Sequence, residues 1–333
     1  QGNVSPMKTR LLHVAAATGL AALALSASPA RADHPWQASP TQASITADAA
    51  LPGLRSTVLL AGKNGTYLAL DASGHPVRID ATNTPTPLSG PDVPTEQLTA
   101  LATSGDDLWG LSTEKTPTLI RMSSDGSAQS RLPLTGAAIA GSNLVALQVH
   151  GTQAYLADEG KPALVAVDLK TGNAKRFLSY DPSLTGRHPL LRAGQPRMGP
   201  DGRPIAGGNV RFLLLDAKGQ WLFYQPACGP MSRIDTALLT DTEFTPVEQL
   251  DGITEWRTTP GIGGETLTPD NIFYLSDITV GSILKFGTDR IPLRILTDPR
   301  LYDAGAPAVS DSHQMAVLAT EDGKTHILRI ALP

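Results

Sequence analysis

The sequence predicts an all-β chain folded as a six-bladed β-propeller, on three observations. From residue 56 on, a short apolar strand, a tight polar turn and a second apolar strand recur six times. The second strands start at 66, 107, 153, 221, 272 and 315, giving spacings of 41, 46, 68, 51 and 43 residues. A four-stranded propeller blade takes roughly 40–50 residues. Long helical periodicity is absent, and 31 Gly with 27 Pro suit many turns.

Taken in order, the first element is a leader. From Met7, a basic start (Lys8, Arg10) precedes the apolar run "LLHVAAATGLAALALSA", and "SPARA" places Ala30 and Ala32 at cleavage-site spacing. Residues 1–32 therefore read as upstream sequence plus a secretory signal peptide rather than a membrane anchor. Residues 33–55 are Ala/Ser/Thr/Pro-rich and form a lead-in. Part of 42–54 is a candidate to pair with the last blade, because an open ring would expose strand edges.

The propeller itself is assigned to 56–333. Its second strands are "TYLALD", "DLWGLS", "QAYLAD", "WLFYQP", "IFYLSD" and "MAVLAT". Before them stand "GKNG", "SGDD", "HGT", "DAKGQ", "PDN" and "DSHQ", whose Gly, Asn and Asp suit hairpins with positive φ. Third strands follow as "PVRIDA", "TLIRMS", "LVAVDL", "SRIDTA", "SILKFG" and "HILRIA". The spacing of 68 is explained by one polar Pro/Gly-rich insertion at 180–208, which carries Arg187, His188, Arg192, Arg197 and Arg203. Long loops on a rigid scaffold often cover sites, so this one is a candidate lid or partner contact.

Charge and cysteine content narrow the function classes. The formal charge is −4 over the whole chain, and −7 once residues 1–32 are removed. That balance argues against nucleic acid and anionic membranes, which need clustered Lys or Arg. No second apolar run approaches the roughly 20 residues that span a bilayer. The expected product is secreted or periplasmic, with no membrane insertion after signal cleavage. Cys228 is the only cysteine, so no intramolecular disulfide forms, and it reads as a small buried residue.

The segment 163–286 resembles the major royal jelly protein/yellow family in a bacterial version. "LVAVDLKTGNAKRFL", "GPDGRPIAGGNV", "DAKGQWLFYQPACGPMSRIDTALL", "NIFYLSDITVGSILKF" and "DPRL" (298–301) carry the likeness by their order and spacing. The resemblance implies a six-bladed propeller, related in architecture to gluconolactonase and senescence-marker hydrolases. It also implies export and, in some members, a small ligand in the central channel. In those hydrolases Asp, Asn and Glu oxygens hold a divalent cation at the channel mouth. Yellow-like strands there commonly begin Asp-Gly.

At the corresponding places this chain has Arg211, Gly263 and Gly305. Arg211 repels a cation, so no metal site and no cofactor are assigned. The alternative, a divalent-metal-dependent lactonase-type hydrolase with an altered site, keeps calcium or a similar cation open and turns on Asp216, Glu265 or Asp303. Catalytic residues are not identified. The polar groups left at strand starts are Arg55, Gln97, Asn143, Asn209 and Arg211, with Glu265 two residues beyond Gly263. Together they form a candidate ring for a small anionic or zwitterionic ligand: Arg forks onto a carboxylate, the amides orient it, and Glu265 accepts an amine. The competing reading pairs Arg211 with Glu265 or leaves both in solvent. His150, His188, His313 and His326 lack metal-site spacing.

Overall fold

A computed structural model describes Gly2, residues 36–310 and residues 313–333. The leader expected at 1–32 lies outside these residues apart from Gly2. Six four-stranded antiparallel blades follow one another along the chain. Their inner strands are Leu54–Ala61, Leu98–Ser104, Leu144–His150, Val210–Leu215, Ile262–Leu267 and Ala304–Val309. Each touches the next, and the sixth touches the first, so the ring is closed. The second strands fall where alternation and turn chemistry place them, for example Asp107–Ser112, Gln153–Asp158 and Trp221–Pro226.

Closure uses residues from the start of the described chain. Ser44–Ala50 lies antiparallel to the last strand, Lys324–Ala331, pairing Ser44 with Ala331 and Ala50 with His326. It supplies the fourth strand of the sixth blade. Gln37–Ala38 pairs in parallel with the outer strand Leu293–Thr297 of the fifth blade. Side chains reinforce the junction. Arg300 Nη1 donates to Asp48 at 2.8 Å, and Arg329 Nε donates to Asn83 at 2.6 Å.

Among the described residues the apolar core is divided into six clusters, one between each pair of neighbouring blades. Phe223, Phe273 and Phe286 fill the interface of blades four and five, and Leu144, Leu156 and Val165 help fill that of two and three. This arrangement follows from period-two alternation: each inward face is apolar because it meets another blade, not solvent. The buried second-strand aromatics Phe223, Tyr224, Phe273 and Tyr274 are core residues.

Two features set the geometry of the channel. Every inner strand carries a break in register against its second strand, for instance between Val210 and Phe212 and between Ile262 and Gly264. Such bulges re-aim side chains locally. The inner strands of blades five, six and one also run in backbone contact. A Cβ built on Gly263 would lie 1.7 Å from the Ala304 carbonyl oxygen, and one on Gly305 would lie 1.8 Å from that of Ser56. These glycines are fixed by packing, and no carboxylate fits at either position. Gly305→Ala is expected to lower stability by at least about 2 kcal/mol through overpacking against unyielding backbone. A shifted urea midpoint checks this.

Candidate functional site

In each blade the inner strand starts where the second strand ends, so both contribute to one channel mouth. A cavity of about 760 Å³ opens there. Its apolar wall comes from residues such as Leu101, Leu147 and Leu214. Its polar wall includes Thr57, Gln148, Arg211, Glu265 and Asp303. Leu190 and Arg197 of the insertion also line it, so part of segment 180–208 borders the mouth.

The insertion is tied down across the ring. A two-residue hairpin, Leu191–Arg192 with Gln195–Pro196, brings its arginines to the sixth blade. Arg197 donates to the Asp303 carboxylate and, at 3.1 Å, to the Tyr302 carbonyl. Arg192 lies 3.3 Å from the other Asp303 oxygen and stacks over the Tyr302 ring. Gly194 N–H donates to the Thr279 carbonyl of the fifth blade at 3.3 Å. Arg187 pairs with Glu255 at 2.9 Å.

Glu265 is the buried acid of this mouth. Gln225, itself fully buried, donates its amide to Glu265 Oε2, and Thr259 donates to Gln225 Oε1 at 2.6 Å. That chain fixes the amide orientation. The other oxygen, Oε1, is buried with no hydrogen-bond partner among the described residues. Burial pushes the carboxyl up to about 8, and the Gln225 bond offsets this only in part. At neutral pH Glu265 is an uncharged acid, so it does not offer an amine the carboxylate that the sequence reading expects.

Of the six residues of the expected ring only Arg211 and Glu265 line the cavity, although three of the six come together beside it. Asn143, Asn209 and Arg211 meet around Glu159, which follows the second strand of blade three. Asn143 Nδ2 donates to its carboxylate at 3.3 Å, and Asn209 Nδ2 donates to its backbone carbonyl at 2.8 Å. Arg211 Nε sits 3.5 Å from Glu159 Oε1, its only charged partner among the described residues. Arg211 and Glu265 line the same cavity but pair with different groups, not with each other. Arg55 turns away, donating to the carbonyls of Ala72 and Leu98 between blades one and two. Gln97 is exposed outside the cavity lining. Sequence reasoning missed Glu159, Gln225 and Thr259. Only the "DEG" turn at 158–160, placed directly after a second strand, could have pointed to the first.

The donors at the mouth do not suit a hard cation. Asp303 is taken by two arginines, Arg211 adds positive charge, and Glu265 is the one other carboxyl among the lining residues. Asp216 accepts from Gln220 N and Trp221 N in a hairpin turn away from the cavity. Elsewhere Asp48, Glu321 and His326 bring ligand atoms within 4.8 Å of one another at the ring closure, but Arg300 already occupies Asp48. Cys228 is buried, and burial pushes its thiol up to about 11. That suits a packing residue.

No protein-family model matches the chain, and no curated protein matches it in sequence. Solved structures do. A luciferin-regenerating enzyme superposes with TM-score 0.54 at 10% identity, covering 86% of this chain and 95% of that one. A gluconolactonase from Xanthomonas campestris gives TM-score 0.53 at 12% identity, with 89% and 97% covered. Virginiamycin B lyase from Staphylococcus aureus, in a catalytically inactive form with quinupristin, gives 0.51 at 14%, with 83% and 80% covered. At these identities the likeness establishes the propeller fold alone. The resemblance to the yellow family has no support from family models or curated sequences.

Two outcomes follow. The native chain holds a proton on Glu265 between its unfolded pKa of 4.5 and about 8, so stability falls as pH rises through that window. Asp277, buried and pushed up to about 7, adds in the same direction. Glu265→Gln removes one proton's worth of slope, at most about 1.4 kcal/mol per pH unit, measured by denaturation at pH 5 and pH 8.5. Asp303→Ala frees the insertion, so limited trypsin cleavage within 180–208 becomes several-fold faster while the remaining propeller stays resistant.

Proposed function

We propose that this chain is an exported, yellow-type propeller that binds a small anionic molecule in the channel mouth bordered by part of segment 180–208. The observation that carries the reading is Arg211. It lines the channel cavity, and its one ionic contact among the described residues, to Glu159, is long at 3.5 Å. A guanidinium so weakly engaged keeps donors for a carboxylate, which it grips through two parallel hydrogen bonds. The cavity falls within the size range of small-molecule sites, roughly 300–1,000 Å³, and mixes apolar walls with a few polar groups as such sites do. The acidic chain lacks the basic surface that nucleic acid requires.

A second reading, catalysis on a small molecule, is favoured by Glu265. A protonated acid lining a cavity is placed for general acid work, and the propellers of similar fold include a gluconolactonase and a lyase. Such a reaction would proceed here without the usual metal ring.

Thermal unfolding of the full chain with a panel of small carboxylates tests the main reading. A ligand that binds only the native state stabilises it by about 2.7 kcal/mol at a hundredfold excess over Kd. At least one carboxylate is expected to raise Tm, and Arg211→Gln to abolish the shift. A rise with calcium or manganese and with no carboxylate would move the protein to the metal-dependent hydrolases.

A further inference from the structure

Resting on the channel-binding reading, we propose that Glu265 sets the specificity of the site. As a neutral acid it donates a hydrogen bond from Oε1 to an acceptor oxygen of the ligand, so the channel prefers hydroxy and oxo acids over plain carboxylic acids and amino acids.

Four observations carry this. Glu265 lines the same cavity as Arg211, so one ligand spans both groups. The residue is only 7% exposed, and Oε1 is sealed from solvent with no partner among the described residues, so a ligand oxygen meets it when the carboxyl turns toward the cavity. An unpaired buried polar atom costs free energy until something bonds to it, and the terminal torsion of glutamate is soft enough to follow a ligand atom. The direction of the bond is also fixed. Thr259 holds Gln225 Oε1, which turns the Gln225 N–H donor onto Glu265 Oε2. Oε2 is thereby the accepting oxygen, and Oε1 is left to carry the proton. Gln225 and Thr259 are positioning residues in this scheme.

An ammonium group gains nothing from a neutral acid and faces Arg211 across the cavity. An alkyl group leaves Oε1 unsatisfied. A hydroxyl or carbonyl oxygen satisfies it. The other charged groups lining the cavity are Arg211, Arg197 and Asp303, the last two paired with each other. Arginine keeps its charge throughout the relevant pH range. Asp277 titrates near the same range from the second strand of the blade but does not line the cavity.

The test uses four acids with one skeleton: phenyllactate, phenylpyruvate, phenylalanine and 3-phenylpropionate. Their affinities for the full chain are measured by calorimetry at pH 6.5 and pH 9.5. Phenyllactate and phenylpyruvate should bind about tenfold tighter than phenylpropionate at pH 6.5, the worth of one well-made hydrogen bond in a dry site. At pH 9.5 phenylpyruvate, whose oxo oxygen only accepts, should lose its preference over phenylpropionate, whereas the phenyllactate hydroxyl turns to donate to the ionised acid. Glu265→Gln, whose amide mimics the protonated acid, should keep the preference at both pH values. Glu265→Leu should lose it at both while still binding phenylpropionate. If the wild type binds phenyllactate and phenylpropionate equally, and Arg211→Gln weakens both, the Glu265 inference is overturned and the channel reading stands. If neither acid binds, the channel reading falls and takes the inference with it. A preference in Glu265→Gln that still disappears at pH 9.5 would assign the titration to another group and overturn the inference.

Discussion

The backbone seam where blades five, six and one meet constrains everything around the channel. Gly263, Gly264 and Gly305 let three inner strands approach until main-chain atoms touch. Side chains cannot project from those positions, so the polar groups of the mouth come from the residues around them, Glu265 directly after Gly264 included. Arg211 comes from blade four, Glu159 from blade three, and Asp303 from the residue just before the sixth inner strand. What looks in the sequence like the loss of two acids is the requirement of close strand packing. The seam and the unusual charge pattern are one fact seen twice.

Electrostatics at the mouth follow a single rule: ionised groups are matched and the deepest acid is discharged. Arg192 and Arg197 share Asp303, Arg211 leans on Glu159, and Arg176 meets Asp158 at 2.8 Å below the rim. Glu265 has no cation, so it keeps its proton instead. The cavity thus combines one loosely held positive charge with one neutral donor, a pairing that neither a ring of carboxylates nor an apolar pore offers.

Much of the fold was legible because it rests on local rules. Alternation located the second strands to within a residue, and turn chemistry located the hairpins. His313 and Asn271, for example, stand at positive φ in turns read from the sequence. The site was legible only in part, and the bulges say why. One extra residue near the start of an inner strand reverses which side chains face the channel. Arg55 and Arg211 occupy similar places in sequence, yet one braces carbonyls between two blades and the other lines the cavity. Gln225 reaches Glu265 from another blade and is itself held by Thr259 from a connection, a meeting that no spacing in a single sequence encodes.

The closing strand carries a consequence for the order of assembly. Ser44–Ala50 is synthesised before any blade, and its partner Lys324–Ala331 emerges only after the other five blades are complete. The early strand must wait, unpaired, for the late one. During that interval the strand edges of the outermost blades stay open to other chains. Contacts between such distant residues also form slowly, because the loop between them must close first. Ring closure is therefore the late event in folding, and a nascent chain arrested before residue 324 exposes adhesive edges.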